Sequence, residues 1–302
     1  IFRVFCRYLD PSCNPYISDI VDLFGKGLNI KLFADDVKIY AVVKDVQDAN
    51  MFQAGLDALN TWSSDWQLPI SFHKCSILHL GRTNNCHSYE ISNVKLPNVK
   101  LITDLGVTVD SNLRFARHYR SIVNRAQHRA YLILHCFASR EPIMLFRAFT
   151  VYVRPLLEYC SPVWAPVYKS DIDLIERVQR RFTKRLSGLS NLTYSDRLLK
   201  LNNVDTLELR RLKLDLVMMF KIYYKLVDMD FSQFFCLNNY TSTRGHSLKL
   251  LKPVCNNNAR QFSFSCRRID AWNALPPAAV LASSVAVFKN CIHRVNFNNF
   301  LK

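Results

Sequence analysis

The sequence predicts an α+β protein in which β-hairpins and one helix fill the first third and helices fill most of the remainder. Before residue 110, apolar residues fall in short runs with the alternation of half-buried strands, and from residue 116 they recur at spacings of three and four. A chain of 302 residues, 49% of them hydrophobic, is long enough to bury more than one core. We predict three domains, 1–110, 111–235 and 236–302.

The charge is unevenly distributed along the chain. Its formal net value of +16 divides into −2 over residues 1–110, +10 over 111–230 and +8 over 231–302. A near-neutral first part followed by a basic remainder suits a metal-binding catalytic piece joined to a piece that binds a polyanion such as nucleic acid.

Several classes of protein are disfavoured by the composition. The sequence has no apolar run near 18 residues and no secretory signal, so we expect an intracellular protein without a membrane span. Its 10 cysteines form no Cys-x-x-Cys motif and no paired Cys/His spacing, which leaves a zinc site unsupported. We expect these thiols to be reduced.

Residues 31–40 are predicted to form a β-hairpin in the first domain. Their apolar and aromatic side chains indicate two short strands that meet at the adjacent acids Asp35 and Asp36. Two carboxylates between apolar strands repel each other unless a cation holds them, and a divalent metal is the simplest candidate. A solvated turn is the alternative that the bare pattern leaves open.

A helix and a further strand follow this hairpin. Asp45 is a suitable N-cap for a helix over about 46–66, whose apolar stripe we expect to pack on the sheet. The stripe consists of Phe52, Leu56, Leu59, Trp62 and Trp66. Residues 70–81 indicate a turn and a strand, with Lys74 just before the strand.

The last β signal lies at residues 103–110. Alternating Leu105, Val107 and Val109 predict a strand, and Gly106 permits a close approach of another backbone.

Helical periodicity begins at residue 116. One helix is predicted through residue 137, Pro142 is placed in the first turn of the next, and Pro155 kinks or divides that second helix. A third helix is predicted from Asp171 to Leu189, and Thr206 opens a long fourth one.

The third predicted helix carries an unusual concentration of positive charge. Its cations are Arg177, Arg180, Arg181, Lys184 and Arg185. Exposed helices ordinarily mix signs, and here only Glu176 stands among these cations. We favour phosphate contact over plain solvation for this face.

Three of these features, in this order, resemble the reverse transcriptases of non-long-terminal-repeat retrotransposons. They are the aromatic-Ala-Asp-Asp of residues 33–36, the Lys at position 74 and the Leu-Gly-Val at 105–107. Residues 154–164 and 262–276 resemble the jockey-like elements of this class further downstream. The resemblance spans roughly residues 16–295 and implies a partial palm, with antiparallel hairpins and a helix, followed by a mainly helical thumb and a basic C-terminal region.

The resemblance also implies roles for particular residues. Asp35 and Asp36 would ligate Mg²⁺, for which Mn²⁺ could substitute, and Lys74 would stand near the leaving pyrophosphate as a cation that can also serve as a general acid. Leu105 and Gly106 would lie in the hairpin that grips the primer end. The implied partners are an RNA template, a DNA primer and deoxynucleotide triphosphates, in the nucleus or in a cytoplasmic ribonucleoprotein.

Part of the family pattern is missing from this sequence. The family's other essential Asp and its Pro-Gln-Gly template loop are not legible in residues 1–15. We therefore expect a C-terminal fragment that is inactive alone. The alternative is a basic helical module that binds RNA or DNA without chemistry.

Overall fold

The computed structural model describes residues 2–5, 18–25, 27–34, 36–81, 84–238 and 245–302. It divides into two compact units, Ile1–Arg114 and Phe115–Lys302, called unit 1 and unit 2. Unit 1 combines a sheet with one long helix, whereas the regular structure of unit 2 is almost entirely helical. The predicted α+β class is confirmed.

Unit 1 is built on a mixed sheet. Its strands are β1 (Phe2–Phe5), β2 (Asn29–Phe33), β3 (Asp36–Tyr40), β4 (Ser76–Leu78), β5 (Glu90–Ile91), β6 (Val94–Lys95), β7 (Asn98–Val99), β8 (Leu101–Asp104) and β9 (Val107–Asp110). Five of them form a sheet in the order β2-β3-β1-β4-β7, in which only the β4–β7 pair is parallel. The pairs β5–β6 and β8–β9 are separate hairpins.

Helix α1 (Val46–Asp65) covers one face of this sheet. The Asp45 side chain caps it by accepting a hydrogen bond from the Asp48 backbone N–H at 2.9 Å, as the sequence predicts. Trp62 and the aliphatic residues of the predicted stripe pack against the sheet core. Trp66 does not belong to that stripe: the helix ends before it, and its side chain is 48% exposed.

Unit 2 contains the helices α2 to α13. Their bounds are α2 (Ala116–Cys136), α3 (Pro142–Tyr152), α4 (Arg154–Glu158), α5 (Ser161–Trp164), α6 (Lys169–Lys184), α7 (Tyr194–Lys200), α8 (Leu207–Tyr223), α9 (Asn258–Gln261), α10 (Phe264–Arg267), α11 (Ile269–Asn273), α12 (Pro277–Val280) and α13 (Val285–His293). Pro142 opens α3 as predicted, and Pro155 divides rather than kinks the second helix, since it lies in the first turn of α4. Helix α6 starts two residues before the predicted Asp171 and ends at Lys184, short of Leu189.

The C-terminal segment shares a core with α8. Leu216 and Phe220 of α8 are buried together with Trp272 and Phe288, which lie beyond residue 236. The Thr206 side chain caps α8 by accepting from the Leu209 N–H at 3.2 Å, as predicted. The division into domains 1–110, 111–235 and 236–302 stays a prediction.

None of the described helices combines the length and apolar character that a bilayer span requires.

Candidate active site and candidate nucleic-acid interface

The predicted hairpin is formed by β2 and β3. Phe33 and Asp36 form the last pair of the β2–β3 ladder, and Ala34 follows Phe33 directly after β2. Ala34 adopts φ +51°, a left-handed conformation that costs a residue with a side chain about 1 kcal/mol. Asp35 itself lies outside the described residues. A strained tip is common at functional sites because neighbouring structure holds it in place.

The two faces of β3 have different surroundings. Val37 and Ile39 point into the core and are each 1% exposed. Asp36, Lys38 and Tyr40 alternate with them and therefore share the opposite face of the sheet. A functional site that uses the polar side chains of β3 must therefore lie on that face.

A pocket of about 410 Å³ opens on this polar face. Its walls include Phe33, Asp36 and Lys38 from the hairpin, together with Asp104 and Leu105. Lys38 forms an ion pair with Asp104, and this contact joins the β2–β3 hairpin to the β8–β9 hairpin. We call this space the hairpin pocket.

The turn of the β8–β9 hairpin differs from the predicted strand. Asp104 pairs with Val107, so Leu105 and Gly106 form a two-residue turn rather than part of a continuous strand. Both have positive φ, +44° at Leu105 and +82° at Gly106, which is the geometry of a tight hairpin turn. The turn projects the Leu105 side chain, which is 40% exposed, into the hairpin pocket.

Lys74 lies in a 3₁₀ turn immediately before β4. Strand β1 separates β3 from β4, and it pairs Phe5 with Asp36 on one side and Arg3 with Ser76 on the other. The Lys74 turn enters β4 at the end that pairs with Arg3, and Asp36 pairs with Phe5, so Lys74 and Asp36 lie towards the same end of the sheet with β1 between them.

The structure leaves the predicted metal ligands untested. Among the described residues, no group of three or more His, Cys, Asp or Glu side chains could hold a metal ion. Because Asp35 is not described, the pair Asp35 and Asp36 stays a prediction. The strand beside β3 has the sequence Phe-Arg-Val-Phe and supplies no carboxylate.

The basic cluster of α6 lies on the surface of unit 2. All five predicted cations are exposed: Arg177, Arg180, Arg181, Lys184 and Arg185. Arg180 is partly neutralised by Asp173, at 3.7 Å, and lies over the ring of Tyr194, 5.1 Å from its centroid. The other four side chains form no ion pair with any residue that the structure describes.

Glu176 does not balance this charge at the surface. It is only 4% exposed, and its carboxylate accepts backbone N–H bonds from Leu207 at 3.1 Å and Glu208 at 3.2 Å. The Tyr194 hydroxyl also donates to it. Burial, followed by the Glu176 charge, raises the pKa of Tyr194 above its ordinary value, which keeps that donor protonated. Glu176 thus anchors the start of α8.

Helix α2 supplies basic residues that the sequence analysis missed. Arg117, Arg120, Arg125 and Arg129 are exposed on it, and its 21 residues include no Asp or Glu. The sequence does contain a signal for this basic helix, namely 21 helical residues without an Asp or Glu. Helix α2 packs directly against α6, so two helices with exposed cations are neighbours in unit 2.

The His118 side chain of α2 is packed in the core of unit 2. The ring is 3% exposed and packs on Trp164, with 5.1 Å between ring centroids. Burial, with a smaller contribution from the Arg125 charge, lowers the pKa of His118 to about 4, so the imidazole is neutral at physiological pH. His118 therefore adds no positive charge to α2.

Comparison with known proteins shows that this chain is similar in sequence to mobile-element polymerases. It is 24% identical over 182 residues to the RNA-directed DNA polymerase from mobile element jockey of Drosophila melanogaster, a match that covers 59% of this chain and 20% of that protein. The corresponding Drosophila funebris polymerase is 24% identical over 164 residues, covering 53% of this chain and 18% of that protein. An uncharacterized Caenorhabditis elegans protein is 33% identical over 104 residues, or 33% of this chain and 52% of that protein.

The chain therefore spans about a fifth of the length of the jockey polymerases that it matches. No family model matches it. No solved structure matches it either. The predicted resemblance to jockey-like reverse transcriptases is confirmed by the two polymerase matches.

Proposed function

We propose that this chain is a fragment of a retrotransposon reverse transcriptase of the non-long-terminal-repeat class, with part of the palm in unit 1 and the thumb in unit 2. The observation that supports it best is the hairpin pocket, where Asp36 and Leu105 meet although 69 positions separate them in the sequence. A catalytic acid and a primer-holding hairpin must lie together for RNA-templated DNA synthesis. Such a polymerase works in the nucleus or in a cytoplasmic ribonucleoprotein.

The donor set of the hairpin tip fits a divalent metal. Asp36 lines an open pocket and Asp35 precedes it in the sequence, and carboxylate oxygens are the ligands that Mg²⁺ prefers, with Mn²⁺ as a substitute. When bound, the metal ions would stabilise charge on the attacking and leaving oxygens of nucleotidyl transfer. Lys74, at the same end of the sheet, would bring a mobile cation towards the pyrophosphate of a deoxynucleotide triphosphate.

Two-metal catalysis needs carboxylates from two strands, and the two strands that flank β3, β1 and β2, carry none. We therefore expect no template-dependent extension of a DNA primer on poly-rA by the chain alone, with either Mg²⁺ or Mn²⁺. Extension that disappears in Asp35→Asn would contradict this expectation, since it would show that the chain contains the missing ligand.

A chimera tests the catalytic role of the hairpin itself. Residues 18–114 replace the corresponding segment of a jockey polymerase that retains its own upstream carboxylate strand. We expect the chimera to extend a primer and its Asp35→Asn variant to lose about a hundredfold or more in rate, because a metal ion contributes several kcal/mol and each 1.4 kcal/mol is tenfold.

Asp65→Asn is the matched control for this chimera, since Asp65 is an exposed acid at the end of α1. Equal activity of the Asp35→Asn and Asp65→Asn chimeras, both folded by thermal melting, would rule out the proposed ligand.

A basic helical module that binds RNA or DNA without chemistry is the second candidate function. The exposed cations of α2 and α6, two helices that pack against each other, favour it. Replacing Arg177, Arg181 and Lys184 with Ala should flatten the dependence of log K on log salt by about two units on single strands, since each phosphate contact contributes about 0.7. Fluorescence anisotropy over a salt series measures the slope.

The control replaces Lys200, Arg260 and Lys289, three exposed cations elsewhere in unit 2, and removes the same charge. We expect this control to keep the wild-type slope. If both triple variants change the slope equally, the α6 face has no special role and only the overall charge of the chain matters.

A further inference from the structure

A second cavity lies at the C-terminal ends of α2 and α6, where Leu145 of α3 also lines it. It has a volume of about 510 Å³, within the range typical of small-ligand sites, and continues into a narrower cleft of about 100 Å³. Tyr131, Leu134 and Arg185 line both parts. We call the two parts together the interhelix pocket.

The rim of the interhelix pocket is cationic. Arg140 and Arg185 line the larger part, Arg181 and Arg185 line the narrower part, and neither part has an Asp or Glu in its lining. Both helices end here, so some of this charge stabilises the carbonyl ends of the helices. Arg140 does so directly, because its guanidinium donates to the Leu134 carbonyl. Arg181 and Arg185 have no ion-pair or hydrogen-bond partner for their side chains within the described chain, so both are available to an anion.

The wall and floor of the pocket are aromatic and apolar. The Tyr131 side chain is 50% exposed, and its ring packs on His135 with 3.9 Å between centroids. Leu134, Val178 and Phe182 form the floor. A planar, weakly polar group could therefore stack on Tyr131 while its anionic substituent reaches Arg181 or Arg185.

We propose that the interhelix pocket binds one unpaired nucleotide of a single-stranded nucleic acid, with its base on Tyr131 and its flanking phosphates on Arg181 and Arg185. This rests on the proposal that unit 2 binds nucleic acid, and it adds a preference for single strands. Bases inside a duplex are already stacked and paired, so they cannot enter without being unstacked. Free bases stack on exposed aromatic rings with little regard to sequence.

The test measures the affinity of the full chain for a fluorescent single-stranded DNA and for a hairpin duplex with the same number of phosphates. Tyr131→Leu should weaken single-strand binding about tenfold, the order expected for one lost stacking contact, and leave duplex binding within about twofold. Tyr131→Phe should bind like wild type because it keeps the ring. A 2-aminopurine base in the strand should show fluorescence quenching by wild type and lose that quenching with Tyr131→Leu.

Matched controls come from α3, where Tyr152 is 54% exposed and Arg147 is exposed, and neither lines the interhelix pocket. Tyr152→Leu and Arg147→Gln should keep the single-strand affinity, whereas Arg185→Gln should lower it. Circular dichroism confirms that each variant is folded.

Four outcomes would overturn the pocket proposal. Equal effects of Tyr131→Leu on single strand and duplex would show that Tyr131 does not contact an unpaired base. Displacement of the strand by an equal concentration of a free mononucleotide would make the pocket a site for small nucleotides instead. Binding of neither DNA by wild type would overturn the nucleic-acid role of unit 2 as well, whereas a normal salt slope with an inert Tyr131 would overturn the pocket alone.

Discussion

Deleting residues 236–302 is expected to abolish cooperative unfolding of unit 2. The deletion removes Ile269, Trp272, Phe288 and Ile292, each at most 1% exposed, from the core that they share with α8. Each large apolar side chain contributes about 1.5–3 kcal/mol by burial, so their combined loss is comparable to the whole stability of a typical domain. Thermal unfolding followed by near-ultraviolet circular dichroism measures the effect.

A short deletion of residues 298–302 is the control for this experiment. It removes Lys302, whose backbone N–H donates to the Glu208 carboxylate at 3.0 Å, but it leaves Trp272 and Phe288 in place. We expect a lower melting temperature with the transition preserved. If the long deletion melts as cooperatively as the full chain, residues 236–302 form a domain of their own, as the sequence predicts.

Asp215→Asn is expected to be the most damaging single substitution in unit 2. Asp215 is fully buried on α8, and it accepts from Arg267 at 2.8 and 2.9 Å and from Arg268 at 3.1 Å. Both arginine side chains are themselves largely buried, at 8% and 14% exposed. Removing the carboxylate charge leaves two guanidinium groups without compensation, which should cost about 3–5 kcal/mol.

The melting temperature should therefore fall by roughly 6–20 °C, given about 2–4 °C per kcal/mol for a unit of this size. Asp270→Asn is the matched control, since Asp270 pairs with Lys252 at the surface, where the two side chains are 58% and 54% exposed. A solvent-exposed pair of this kind contributes at most about 1 kcal/mol. Equal losses in the two variants would mean that the buried trio does not link α8 to the C-terminal segment.

The elements that the sequence predicts well have local causes. Helix α1 follows from the Asp45 cap and from an apolar stripe that recurs every three or four residues. Helix α8 follows in the same way from Thr206. The β2–β3 hairpin follows from the short apolar stretches that the sequence places before and after two adjacent acids. In each case the determining residues lie within a few positions of one another.

Two details that the sequence predicts wrongly, the strand through Leu105 and the end of α1, depend on backbone geometry that a residue pattern does not specify. Leu105, Val107 and Val109 alternate like one strand, yet the chain turns at Leu105 and Gly106 because both adopt positive φ. Trp66 has the spacing of the α1 stripe, but the helix ends before it and about half of its side chain is exposed. The alternation or periodicity of apolar residues indicates which face of a strand or helix is buried, but not at which residue the strand or helix ends.

The sequence alone determined the mixed class, most of the helices and the resemblance to jockey-like reverse transcriptases. Only the tertiary structure brought Asp36 to Leu105 in the hairpin pocket, turned Glu176 inward to the start of α8, and buried Asp215 between Arg267 and Arg268. These contacts join residues that are 31 to 69 positions apart. The free energy of such contacts depends on burial and on the partner's position, and neither is encoded in the neighbouring residues.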